Sequence, residues 1–256
     1  MLNIRPEQMA VFEKDGARRF EDEMLAHSKE FSPRLCELIG DDQLRVALKQ
    51  SIGRAKEYGF SNRGPIRLYI ELMFLAGSNF DTDPQYPGLG EVLRGRGAEM
   101  VRAEHIFERI NDYRENVSGE YGVNARKALA YLVDFGRQPD PFTEDGLVSQ
   151  LLAGMRASFP LKANYLGEPA LLQLIAEGRA AAQRYGLKGS RAEAMIVILV
   201  FAFGHGCVAD PLYPWISQVL TDERITSAEA RAQRLERKAL TWLDHVLARP
   251  LPGGEA

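Results

Sequence analysis

The sequence predicts an all-α protein made of two similar multi-helix units, an internal duplication packed as a pseudo-twofold helical bundle. Three observations carry this expectation. Apolar residues recur at helical spacing from Pro6 to about Leu247. Gly and Pro stand at the ends of those stretches, where helices start and stop. The third is a turn that the chain writes twice. Phe74-Leu-Ala-Gly-Ser-Asn-Phe-Asp-Thr-Asp-Pro-Gln-Tyr-Pro87 returns as Phe201-Ala-Phe-Gly-His-Gly-Cys-Val-Ala-Asp-Pro-Leu-Tyr-Pro214, 127 positions later.

Compared without a gap, Gly40–Leu93 and Gly167–Leu220 are identical at 14 of 54 positions, against about three to four expected by chance for this composition. The identities fall on helix ends and turns: Gly40, Tyr58, Gly59, Gly77, Asp83, Pro84, Tyr86 and Pro87 among them. Leu25 with Leu152, Pro33 with Pro160 and Ala103 with Ala230 extend the register. The expected organisation is a first unit over 1–119, a connecting helix and linker over 120–141, a second unit over 142–248, and a flexible tail over 249–256.

In chain order, Pro6 suits a first helical position, and Met9, Phe12, Phe20, Met24 and Phe31 form an apolar stripe that Ser32-Pro33 stops. A short helix over 34–39 closes at Gly40. The next carries Leu44, Leu48, Ile52 and Ala55 inward and ends in Tyr58-Gly59-Phe60, the glycine taking the left-handed conformation that satisfies the last carbonyls. Residues 66–75 are apolar on nearly every side, the mark of a buried helix. Gly77 ends it and the first turn follows. Short and long helices are expected over 87–93, 98–117 and 121–135, with Pro139-Asp-Pro141 as the best break in the chain. After it come helices over 143–158, 169–185, 194–203, 215–220 and from about 226 to 247. Ser190 with Glu193, and Thr226 with Glu229, read as capping boxes.

Composition narrows the function. With 256 residues, 45% hydrophobic and 26% charged, the chain can bury a full core. Its formal charge of −3 gives no footprint for nucleic acid. The longest apolar run, Ala194 to Phe203, is too short to insert in a membrane. The N-terminus shows no apolar signal region, so a cytoplasmic protein is expected. Cys36 and Cys207 fit buried thiols of a reducing compartment.

No catalytic or metal site is legible. The four histidines, His27, His105, His205 and His245, have no ligand spacing among themselves, and phosphate loops and nucleophile turns are absent. No cofactor is expected. His205, Cys207 and Asp210 lie within six positions and would make a hydrolase-like nucleophile if the imidazole activated the thiol. The first turn has Ser78, Phe80 and Asp83 there, which favours a structural reading. Gly77, Asp83, Pro84, Pro87, Gly204, Asp210, Pro211 and Pro214 are read as turn builders. Tyr86, Leu89, Tyr213 and Trp215, apolar and close to the turns, are the candidates for touching a partner.

The first 115 residues resemble small accessory proteins encoded in bacterial type VI secretion effector clusters, beside effector-loading adaptors. The resemblance rests on Ile4, Arg5, Glu7, Gln8, Phe20, Met24, His27, Arg54, Ala55, Tyr58, Gly59, Phe60, Phe80, Asp81, Asp83, Pro84 and Pro87. It departs at Gly88, where the pattern has a Trp that appears here as Trp215, and in its tandem form. It implies a non-enzymatic protein-binding module, an accessory chaperone or co-adaptor whose partner is an effector or its adaptor. The alternatives are an immunity protein that neutralises a toxin, and the enzyme using His205 and Cys207.

Overall fold

A computed structural model describes residues 5–138 and 141–248. Pro139 and Asp140 of the expected linker, and the expected tail from 249 onward, lie outside the described residues. Everything described is helix, turn or loop. The helices are α1 (Pro6–Phe31), α2 (Pro33–Glu57), α3 (Arg63–Ala76), α4 (Leu89–Arg94), α5 (Glu99–Tyr113), α6 (Val123–Gly136), α7 (Leu147–Ser158), α8 (Pro160–Arg184), α9 (Ser190–Phe203), α10 (Pro214–Leu220) and α11 (Ala228–Leu247). A π-helical turn, Arg114–Ser118, prolongs α5. Among the described residues no helix is long and apolar enough to cross a membrane.

The start of α8 lies 127 positions after that of α2, and α9 follows α3 at the same interval with the same length. Both α2 and α8 are broken by a glycine, Gly40 (φ 76°, ψ 164°) and Gly167 (φ 74°, ψ 165°). These dihedrals are open to glycine and costly for other residues. The expected stop at Gly40 is thus a kink within α2. The stretch between Pro160 and Gly167, expected outside a helix, is the counterpart of 33–39 and forms the first turns of α8.

Two expected caps are corrected. Gly189, not Ser190, is the N-cap of α9, and Glu193 instead pairs with Arg179 at 2.7 Å. The cap of α11 is Ser227, whose hydroxyl accepts from the Ala230 amide, rather than Thr226. Helices α5 and α11 begin 129 positions apart. Two residues added between α10 and α11 therefore shift the register, and Ala103 stands opposite Ala232 rather than Ala230. Arg102 shows the same shift. It donates to the carbonyls of Tyr58 and Leu93, and Arg231 donates to those of Tyr185 and Ile225.

Helices α3 and α9 sit innermost, flanked by α2 and α8 respectively. Ile66, Tyr69, Ile70, Leu72 and Met73 are buried on α3, as are Ile196, Val197, Leu199, Val200 and Phe203 on α9. Gly178 lets α8 close on α9: a β-carbon there would stand 2.8 Å from the α-carbon of Val197. Helix α11 packs on α9, α10 and α6, whereas α5 packs on α3 and α4.

Candidate functional site

The two turns meet at the centre of the molecule and complete each other. After α3 the chain passes through Gly77 (φ 88°), and after α9 through Gly204 (φ 100°). A β-carbon on Gly77 would lie 2.9 Å from the carbonyl oxygen of Phe203, and one on Gly204 would lie 3.2 Å from that of Ala76. The two backbones approach too closely for any side chain, which is the physical reason both positions are glycine.

This close approach carries the two aspartates into each other's segment. Asp83 accepts from its own turn through the Gln85 amide (2.8 Å), and from the other segment through the His205 amide (2.7 Å). Asp210 accepts from the Leu212 amide (2.8 Å), and across from the Ser78 amide (2.8 Å) and the Ser78 hydroxyl (2.6 Å). His205 and Ser78 occupy matching places, as do Leu212 and Gln85. Both carboxyls are buried, and desolvation raises their pKa above the usual carboxylate range against the pull of these donors. Both oxygens of each carboxyl accept from backbone amides and from a buried side chain, Gln85 for Asp83 and Ser78 for Asp210, so the pair builds structure.

The nucleophile expectation fails on geometry. His205 Nδ1 meets Glu177 at 3.1 Å and its Nε2 meets Thr82 at 3.0 Å. Cys207 is fully buried, and desolvation holds its thiol well above the ordinary value, so it stays protonated. A buried thiol without an imidazole partner is a small apolar side chain. Cys36 is also free and buried, its pKa raised to about 11 by desolvation. Among the described residues no three His, Cys, Asp or Glu side chains gather closely enough to hold a metal ion.

The proposed contact residues are mostly inside. Leu89 is 2% exposed, and Tyr86 and Tyr213 lie below a tenth. Tyr86 packs edge-on against Tyr113 and Tyr213 against Trp242, at ring separations of 5.0 and 5.7 Å. Tyr86 and Tyr213 thereby anchor the turns to α5 and α11. Trp215 is half-buried and stacks on Trp242 at 6.4 Å. Of the turn builders, Gly77, Asp83, Gly204 and Asp210 meet at the centre, while Pro84, Pro87, Pro211 and Pro214 direct the chain away from it; Pro214 opens α10.

Sequence reasoning missed two charged groups. Arg54 reaches under the first turn, with bidentate bonds to Asp81 and a 2.6 Å bond to Asn79, while the Tyr58 hydroxyl donates to Asp81 at 2.7 Å. All but Asn79 belong to the residues that carry the family resemblance, so that motif is a support for the turn. The other is Lys162 on α8, buried where the first half has Leu35. A lysine standing 127 positions after a leucine, at the interval of the repeated turn, was the signal that could have found it. No family model matches the chain, and no curated protein or solved structure matches it either.

Proposed function

We propose that this chain is a non-enzymatic protein-binding module, an accessory chaperone or co-adaptor that helps load a type VI secretion effector. We further propose that it arose by duplication of one helical unit, with the two copies packed about a pseudo-twofold axis. The shared 127-residue interval of α2/α8 and α3/α9, the matching kinks at Gly40 and Gly167, and the reciprocal aspartate bonds all support that origin.

One observation carries the binding reading. In the second half, Ala202 of α9 and Glu236 of α11 line a groove together with Leu132 and Phe135 of α6. At the matching places of the first half stand Leu75 and Phe107, which are 46% and 52% exposed. Two large apolar side chains thus lie open where their counterparts face a helix. Met9, Val11 and Phe12 on the first turns of α1 are also exposed. A partner helix laid across α3 and α5 would bury the first pair by the same geometry as α6. This surface replaces Tyr86, Leu89 and Tyr213 as the expected contact.

Co-expression with the effector and the adaptor encoded beside this chain tests the reading. One of them is expected to co-purify with the wild-type protein and to be lost with L75E/F107E. Full capture by the double variant, or a monomer that takes up neither neighbour, would refute it. Co-expression with a toxin separates an immunity protein, since only that role requires rescue of growth.

A further inference from the structure

We infer that the second half of the chain holds a binding site for a small apolar monocarboxylate, with the carboxylate on Lys162 and the apolar part among the aromatic rings around it. The site lies between α6, α8, α9 and α11 and belongs to no part of the proposed partner face on α3 and α5.

Lys162 is 4% exposed, in the first turn of α8. Its ammonium donates to the carbonyl of Phe201 at 2.6 Å and stands 4.7 Å from the centre of the Phe201 ring and 5.9 Å from that of Phe159. An ammonium has three N–H donors, and Phe201 supplies its one acceptor among the described residues. A buried cation is costly unless it is paired and its donors are filled. Beyond that carbonyl the ammonium meets only the two ring faces, and the lysine lines a cavity. Asp83 attracts the ammonium from a distance, yet desolvation prevails and draws the lysine down to about 8.

The cavity has a volume of about 160 Å³ and is lined by Phe159, Lys162, Phe201, Phe203, Tyr213 and Trp242, together with alanines and leucines of α6. A cavity of about 150 Å³ walled by apolar side chains holds a benzene ring. Five aromatic side chains and a single buried cation therefore define the ligand: a flat or branched apolar group of about that size bearing one negative charge. A carboxylate supplies the two missing acceptors through charge-assisted bonds.

Capping does not explain the lysine. A Lys can satisfy a carbonyl in the last turn of a helix, and Phe201 is in the last turn of α9. But α3 ends in the same way at Gly77, with Leu35 in the place of Lys162. The helix end forms without the charge.

The full chain carries its own reporters, because its two tryptophans are Trp242, which lines the cavity, and Trp215, which stacks on it. Benzoate and benzyl alcohol, of similar size and different charge, are titrated while tryptophan fluorescence and heat are followed. The expected result is a saturable change with benzoate, at an affinity at least about tenfold above that of the alcohol. K162L, which installs the residue of the first half, is expected to lose that preference. The proposal is overturned if benzoate gives no saturable signal, if both probes bind wild type equally, or if K162L retains the wild-type affinity for benzoate. The wild-type comparison decides the matter even if K162L does not fold. Loss of this site would leave the partner capture by Leu75 and Phe107 intact, so the two readings fail separately.

Discussion

The two Asp-Pro turns share a backbone and rest on different foundations. Under the first, Arg54 holds a buried Asp81 in a bidentate pair, joined by Tyr58 and Asn79. At the matching places under the second stand Ala181, Val208, Tyr185 and Gly206, and both Ala181 and Val208 are buried. The turn itself does not change: glycine, aspartate and the cross-chain amide recur in both. A buried ion pair and two buried apolar residues thus serve at the same places, and the turn geometry comes from the residues the two segments share. Buried pairs behave this way elsewhere, tolerating replacement as a unit far better than removal of one member.

Breaking that comparison should give the largest effect. R54A leaves the Asp81 carboxylate, whose side chain is fully buried, without its cation, and is expected to cost about 3 kcal/mol in urea unfolding. D81A should cost less, because the Arg54 side chain is about a third exposed and can turn to water. R54A/D81V, which copies the second foundation, is expected to recover most of the loss. A double variant as unstable as R54A would show that the two supports are not equivalent.

The next effect sharpens the reciprocity. D83A and D210A each strand buried amides in both segments, at about 1–3 kcal/mol apiece. Each also releases a buried side-chain donor, the Gln85 amide in D83A and the Ser78 hydroxyl in D210A. Made together, the two should fall short of additivity, as groups within one network do. Strict additivity by denaturation would mean that the turns are independent.

The pH dependence of stability tells the halves apart through Lys162 and Leu35. The lysine is drawn from 10.5 to about 8 in the folded chain, so the unfolded chain binds more protons between those values and stability rises with pH across that window. From pH 8 to 9.5 the lysine contributes about 2 kcal/mol, offset in part near pH 9 by Cys36 and Cys207, whose burial opposes their ionisation, so the contribution is read as the difference between wild type and K162L. Above that range the buried Tyr86, Tyr113 and Tyr213 act in the opposite sense, since burial raises their pKa and folding then opposes their ionisation.

The smallest difference concerns the glycines. G77A and G204A both place a β-carbon in a region essentially confined to glycine, at about 1–3 kcal/mol for the conformation alone. The contact at Gly77 is tighter, 2.9 against 3.2 Å, so G77A should lower the melting temperature further.

Much of this architecture was legible because helix ends are written in Gly and Pro. Ser32-Pro33, Tyr58-Gly59, Gly77 and Gly204 fall where the chain turns, and the repeat of those signals placed α2 against α8. What local pattern cannot give is the partner across the molecule. Asp83 reads as an ordinary Asx turn, and its bond to Gln85 is one; nothing near it points to the amide of His205, 122 positions on. Tyr86, Leu89 and Tyr213 look the same in sequence whether they face water or a helix, and only the arrival of α5 and α11 decides. The two extra residues before α11 shifted its register unseen, since alanine answers alanine at either offset. Lys162 was hidden because a lysine in the first turn of a helix normally points outward.

The crossed aspartates also set a clock on synthesis. Ser78 waits for a carboxylate 132 positions later, so at about 5–20 residues per second the first turn spends several seconds or more outside the ribosome before its partner is made. During that interval the end of α3 lacks the end of α9 that meets it at Gly77 and Gly204. A nascent chain halted before Asp210 is expected to be cut rapidly by protease around Gly77, and one released after Leu220 to resist. The arrangement ties completion of the first turn to the appearance of the second.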